Sequence, residues 1–357
     1  MAVSEYHGIG IAAISAAVPK RVVRNTQYQT DLFGKEAVET LVEKIGIYER
    51  RFATDGTCAS DLCFQAAKKL MIDNNIGRED IDLLIFISET PDYKFPATAC
   101  ILQSRLGLST STVAFDVNMG CSAVLYGLNI AYGMLSGGMR KALVMIGDTN
   151  TRIYSPEDRA TAFLFGDAGV AMLVEQNEKY GKSFFSLNTD GSLHDLIMMK
   201  AGGSRYPSSQ QTLISKVVDE YGNKRSEEHA WMRGSEVMEF VISNVPKDIR
   251  NILDIARLDK DAIDYYIFHQ ANRLINNHIA KKLKLASEKT PFSLTKYGNT
   301  GGASVPLTMI TELGDILSQG SHKLLISAFG IGMSWGTAIL STVDCSISPL
   351  QELNESL

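Results

Sequence analysis

A chain of 357 residues is too long for one ordinary layered core, so two domains or two fused halves are expected. Its apolar fraction of 45% and charged fraction of 21% are those of a soluble globular protein. A formal net charge of −5 argues against a general nucleic-acid binder, while leaving room for a local basic patch that meets an acidic partner.

In chain order, "MAVSEYHGIGIAAISAAVPK" lacks a basic region ahead of its apolar run, so it reads as a first strand over 8–18 and not as a signal peptide. A helix is expected over 60–75, a strand over 81–88 and a helix over 96–106. The β-type run "TVAFDVNMG" then gives way to a small-residue, apolar run over 121–135 that reads as a buried helix. Strands follow over 141–149 and 169–176. The polar segment 200–232, rich in Gly, Ser and charge, reads as an excursion, either a binding loop or surface decoration. Beyond it come a helix over 234–256, a strand over 263–270, helices over 272–285 and 303–318, and strands over 323–330 and 336–343. Strands spaced by helices imply an α/β fold with largely buried sheets. The apolar stretches 121–135 and 323–333 are too short or too Gly-rich to span a bilayer, so no membrane segment is expected.

The two parts of the chain repeat one another. "REDIDLLIFIS" (78–88) matches "KDAIDYYIFHQ" (260–270), and each part continues with a Gly-containing turn, a long small-residue helix and a strand pair. Duplicated halves are therefore expected, 1–178 and 179–357, with the 200–232 excursion inside the second. Five cysteines (58, 63, 100, 121, 345) are an odd number without zinc-site spacing, so reduced thiols in a cytoplasmic protein, and no metal, are expected.

Four places could carry chemistry. Cys121 sits where a strand gives way to a helix, and a helix N-terminus favours thiolate, although a lone Cys in an apolar run is more often core. His269 ends a strand in "YIFHQANRL", where α/β folds gather functional side chains. Asn299 lies in the Gly-rich turn "KYGNTGGASV", which on its own would read as an ordinary Asn turn. The glycines of "AFGIGMSWG" (328–336) allow a backbone N–H to approach an oxyanion closely. "FLFGDAGVAML" (163–173) is another Gly turn, read as structural because it has no nucleophile.

Taken together, "KFPATACILQSRLG", "FDVNMGCSAVLYGL", "SPEDRATAFLFGDAGVAML", "HQAN", "GNTGGASVP" and "AFGIGMSWGTAIL" resemble the β-ketoacyl-acyl-carrier-protein synthase III family over nearly the whole chain. The resemblance implies a thiolase-like fold, two duplicated halves in a layered α-β-α-β-α sandwich, and a homodimer. It implies a nucleophilic Cys121 that takes an acyl group from acyl-coenzyme A or another acyl thioester. His269 and Asn299 would stabilise the enolate formed when malonyl-acyl carrier protein loses carbon dioxide. The backbone N–H groups of Cys121 and Ile331 would form the oxyanion hole. Phe329 would crowd the malonyl carboxylate, Phe95 would reach the partner's acyl pocket, and Arg152 would stack on adenine. The acyl carrier protein would dock on Arg273, Lys281 and Lys282. No cofactor is implied, and neither nucleic acid nor membrane is expected as a partner.

Departures cluster at the mouth of the site. Thr40 and Lys44 stand where the family commonly has a Trp and an Arg that hold coenzyme A. Arg273 then Leu274 invert the usual apolar–Arg order after "HQAN", and Ile331 replaces a usual glycine. The expected activity is decarboxylative condensation at the start of fatty acid biosynthesis. The alternatives are a specialised relative in a secondary-metabolite or glycan-linked pathway, using an unusual donor or forming an ester or amide, and, against the intact Cys, His and Asn, a silent subunit.

Overall fold

The computed structural model describes residues 2–353. Two sheets carry the chain. The first, of 7 strands, places Ile9–Pro19, Ala168–Gln176, Lys141–Asp148, Leu83–Ile87 and Val113–Val117 side by side. The second, of 5 strands, has the order Ala2–His7, Lys182–Thr189, Ser334–Val343, Ser321–Gly330, Tyr265–Phe268.

Pairing directions repeat between the sheets. In the first, Ile9–Pro19 runs antiparallel to Ala168–Gln176, which runs antiparallel to Lys141–Asp148, itself parallel to Leu83–Ile87. The second repeats the pattern with Lys182–Thr189, Ser334–Val343, Ser321–Gly330 and Tyr265–Phe268. The ends of the chain cross over. Ala2–His7, a strand ahead of the expected first one, pairs with Lys182–Thr189 in the second sheet. The C-terminal strands Ser346–Ile347 and Gln351–Leu353 pair with Ile9–Pro19 in the first.

The inner strands alternate between two cores, which is why they read as continuous apolar runs. Leu83, Ile85 and Ile87 face a central layer, while Leu84 and Phe86 face an outer one. Ile267, Leu324 and Ile326 share the central layer from the opposite sheet, and Tyr266, Phe268 and Leu325 point away from it. Along Ile9–Pro19 the alternation breaks at a register shift between Ile11 and Ala13, so Ile11 and Ile14 face the same core. Between the sheets lie the helices Ala123–Ser136 and Ser304–Leu317, apolar nearly all round because both sides are covered. Ala59–Asp73 and Thr98–Leu106 cover the first sheet outside, and Gly234–Ala256 with Arg273–Leu283 covers the second. The result is five layers, α-β-α-β-α. No helix among the described residues is long and apolar enough to cross a membrane.

The excursion forms two small hairpin-like pairings, Ile197–Met198 with Trp231–Met232 and Lys216–Val217 with Lys224–Arg225. It is held to the first half by a 2.6 Å ion pair between Arg225 and Asp158 and by the Ala230 N–H donating to the Ile153 carbonyl at 2.7 Å.

Outer helices press directly on the sheet. A Cβ on Gly169 would lie 2.5 Å from the Cys63 amide nitrogen and 2.6 Å from Leu62 Cβ, inside the backbone of Ala59–Asp73. Gly169→Ala must therefore push helix and strand apart, and overpacking of this kind costs about 1–3 kcal/mol. A fall of several degrees in the calorimetric unfolding midpoint is expected; an unchanged midpoint would show that this contact yields freely.

Candidate active site

Val113–Val117 leads into the turn 118–122, and helix Ala123–Ser136 begins with Ser122 at its N-cap position. Cys121 precedes the cap and is 9% exposed. Across from it, Ser321–Gly330 ends on the thiol: a Cβ on Gly330 would lie 2.6 Å from Cys121 Cβ and 3.1 Å from its Sγ, so only glycine fits. The Ser122 and Ser334 hydroxyls are 2.7 Å apart, and Ser334 also donates to the Ile331 carbonyl at 2.7 Å. This relay ties the Ile331 turn to the Cys121 turn.

The lowered thiol pKa expected from the helix start is corrected by the structure. Burial pushes the Cys121 thiol well above its ordinary range, and the charges of Glu89 and Asp148 add to the effect, against one opposing backbone hydrogen bond. Cys121 rests as a neutral thiol.

His269 follows Tyr265–Phe268, and its N–H donates to the Ser327 carbonyl at 2.9 Å, continuing the parallel ladder. The ring is 2% exposed and stands edge-on to Phe329, centroids 5.4 Å apart. Nδ1 lies 2.8 Å from Ser304 Oγ, which also accepts the Gln270 N–H at 3.3 Å. Ser304 therefore holds the ring by its Nδ1 edge. Burial lowers His269 to about 3, against a backbone hydrogen bond with Gly301. The ring is neutral at physiological pH.

Asn299 sits between Gly298 (φ 67°) and Gly301 (φ 58°), left-handed positions that suit glycine. Its N–H donates to the Leu164 carbonyl at 2.9 Å, and its carbonyl accepts from Gly166 at 3.0 Å. Gly166 is required there, because a Cβ would lie 2.2 Å from the Tyr297 carbonyl oxygen. The "FLFGDAGVAML" turn is thus the seat of the Asn299 loop. Buried Arg50 braces that seat by donating to the Phe165 carbonyl at 2.9 Å and to Asn25 Oδ1 at 2.7 Å. Asn299 Oδ1 accepts the Gly301 N–H at 2.9 Å, which commits the oxygen and turns the Nδ2 donor toward the cavity.

Cys121, His269, Asn299, Phe329 and Ile331 line one cavity, together with Glu89, which the sequence reading did not single out. A signal for Glu89 was present: it lies just past the strand that the internal repeat pairs with the strand delivering His269. Ser304, which orients His269, gave no signal of its own.

The remaining expected residues lie outside that lining. Phe95 is 85% exposed. Arg152 is exposed and donates to the Thr54 carbonyl. Arg273 is half-buried against Gly46 and lies 5.9 Å from the Tyr48 ring centroid, beside the cavity-lining Asn272. Lys281 is exposed, and exposed Lys282 extends its Nζ to the Ile242 carbonyl at 2.9 Å. Thr40 and Lys44 are exposed on the helix Lys35–Ile45. Of the 200–232 excursion, only Met232 reaches the cavity.

Known proteins are similar to this chain over nearly its whole length. Residues 115–191 match the family model for 3-oxoacyl-[acyl-carrier-protein] synthase III, and residues 253–342 match the model for its C-terminal part. The β-ketoacyl-[acyl-carrier-protein] synthase III of Aliarcobacter butzleri is 33% identical over 332 residues, covering 92% of this chain and 96% of that one. The chain belongs to the 3-oxoacyl-[acyl-carrier-protein] synthase III family. As a synthase III family member it is an acyltransferase of the condensing type with a thiolase-like fold. A solved 3-oxoacyl-(acyl-carrier protein) synthase from Burkholderia xenovorans superposes with a TM-score of 0.92 at 35% identity, covering 99% of both chains. The synthase III structure from Aquifex aeolicus superposes at 0.79 with 28% identity, covering 93% of this chain and 99% of that one.

A neutral His269 has a direct signature. In ¹⁵N-histidine-labelled protein its ring nitrogens should keep neutral-imidazole shifts down to well below pH 6. Imidazolium shifts at pH 6 would contradict the effect of burial.

Proposed function

We propose that this synthase III family member loads an acyl group onto Cys121 and condenses it with malonyl-acyl carrier protein, with loss of carbon dioxide, to give a 3-oxoacyl product that begins a fatty acid chain. One observation carries the reading: a buried thiol, a neutral imidazole and an anchored carboxamide share a single cavity. Thiolate attack on a thioester exchanges one thioester for another, so the acyl-Cys stores the acyl group with little change in free energy. The Cys121 and Ile331 N–H groups serve the tetrahedral oxyanion, the Ile331 carbonyl being already taken by Ser334.

His269 Nε2–H and Asn299 Nδ2–H then converge on the malonyl thioester oxygen. Both are neutral donors, so they stabilise enolate charge without giving up a proton to the enolate oxygen. Phe329, 2% exposed and packed edge-on to His269, places an apolar wall where carbon dioxide must leave as a neutral molecule. The acyl donor is coenzyme A-linked or another thioester, with Arg152 toward its adenine. Phe95 at 85% exposure suits coverage by a second copy in a homodimer. The acidic carrier protein would meet Arg273, Lys281 and Lys282 on the helix that follows His269.

Intact-protein mass and ¹⁴C-carbon dioxide release separate the half-reactions. Cys121→Ser should abolish acyl loading. Asn299→Ala and His269→Ala should still load, yet slow malonyl decarboxylation about 10²–10³-fold, the usual loss for one oxyanion donor. Loading with no carbon dioxide release from any malonyl carrier substrate would sink the condensation reading.

A further inference from the structure

Glu89 is a carboxyl group in the reaction cavity that the steps above leave unused. It leaves the sheet just after Leu83–Ile87, and its N–H donates to Asp148 Oδ1 at 2.7 Å. Its carboxyl group rests on Gly120, the residue before Cys121: a Cβ there would lie 2.6 Å from Glu89 Cδ and from both carboxyl oxygens. Glycine at 120 is therefore what brings this carboxyl group to the nucleophile.

The groups around Glu89 leave it one chemical part. Asp148 Oδ1 accepts from Ser88, the Glu89 N–H and Thr90, while Asp148 Oδ2 is buried without a partner. The donors sit on Asp148, so of two crowded carboxyl groups Glu89 keeps the proton at rest. Burial and the Asp148 charge push Glu89 well above the usual carboxylate range, toward the working pH where general bases act best. Among the described residues, Tyr154, Cys121 and His269 are the other titratable groups lining the cavity, and no Lys or Arg does so. The tyrosine and the thiol are neutral, and both are raised in part by the Glu89 charge. Burial holds His269 down at about 3, too weak a base for a thiol, and Asn150, Asn272 and Asn299 are not bases. Once ionised, Glu89 is the one proton acceptor in the lining.

We infer that Glu89 is the acid–base residue of acyl loading, taking the proton of the Cys121 thiol as sulfur attacks the donor and returning it to the departing thiol. The Sγ–H proton passes to the carboxylate as the Sγ–C bond forms. When the donor's C–S bond breaks, its thiolate leaves with that proton, and Glu89 is again ionised. No electrons are gained or lost. The inference rests on acyl-Cys formation in the proposed function, but not on the condensation that follows.

The test follows acyl loading by rapid quench and intact mass, with acetyl- and octanoyl-coenzyme A as probes, and in parallel the alkylation of Cys121 by iodoacetamide, both across pH 5–10. Loading by the wild type should rise with pH along a limb above the ordinary carboxylate range. Glu89→Gln should lose about 10²-fold or more in loading rate and lose that limb. It should alkylate as fast or faster, because removing a negative charge favours the Cys121 thiolate. A charge that only repels thiolate would instead speed both reactions in Glu89→Gln, and that outcome, or unchanged loading, would overturn the inference. Absence of wild-type loading would overturn it together with the proposed function; loading without carbon dioxide release would overturn only the latter. Should Glu89→Gln unfold, Asp148→Asn decides: the loading limb must move to lower pH, and a stationary limb refutes the role.

Discussion

The abutment of two helix N-termini at the centre of the molecule organises everything around it. Helix Ser304–Leu317 and its lead-in turn meet helix Ala123–Ser136 through Gly302, where a Cβ would stand 2.6 Å from Ala123 Cβ and 3.0 Å from the Gly120 carbonyl oxygen. Gly301 presses in the same way on Asp148 and Asn150, each 2.8 Å from where its Cβ would be. Glycine is the only side chain thin enough for these contacts. They place Cys121, just before one helix, within the same cavity as Asn299, just before the other, and the parallel strand Tyr265–Phe268 adds His269 from the side.

The cavity so made works with neutral groups. Burial holds a thiol and an imidazole uncharged beside a carboxamide that carries no charge, and each has one end committed: Ser304 on the imidazole, Gly301 on the carboxamide, Gly330 against the thiol. Donors fixed in a dry setting need not reorganise when charge develops on a substrate oxygen, which is where electrostatic catalysis gains most. The cost is that nothing among these three is a ready base at rest. A crowded pair of carboxyl groups one residue away supplies the missing proton chemistry at a charge density the neutral trio avoids.

Much of this was legible in the residues. Strands buried on both faces give unbroken apolar runs, so the elements at 81–88, 141–149, 169–176, 263–270, 323–330 and 336–343 stood out, as did the two central helices. The strand Ala2–His7 was harder, because only one of its faces is covered and the run "VSEYH" is largely polar. Cys121, His269 and Asn299 were found through motif order over long separations. Their electrostatics were not: the dipole argument for Cys121 used the local helix alone, whereas the thiol feels an enclosing cavity and two carboxyl groups from other strands. Glu89 is marked only by its place just past a repeated strand, since "SETP" carries no motif of its own, and its meaning arises only when Gly120 folds against it.

The crossing of the two chain ends has a consequence for how the halves depend on each other. Ala2–His7 forms the edge of the second sheet, while Ser346–Ile347 and Gln351–Leu353 flank the first. Each half thus lends the other a border strand, like two hands clasped with a finger exchanged. Neither sheet is completed by the strands of one part of the chain alone, so loosening one exposes unpaired backbone on the other. The shared cavity is kept in register by strands that never touch it.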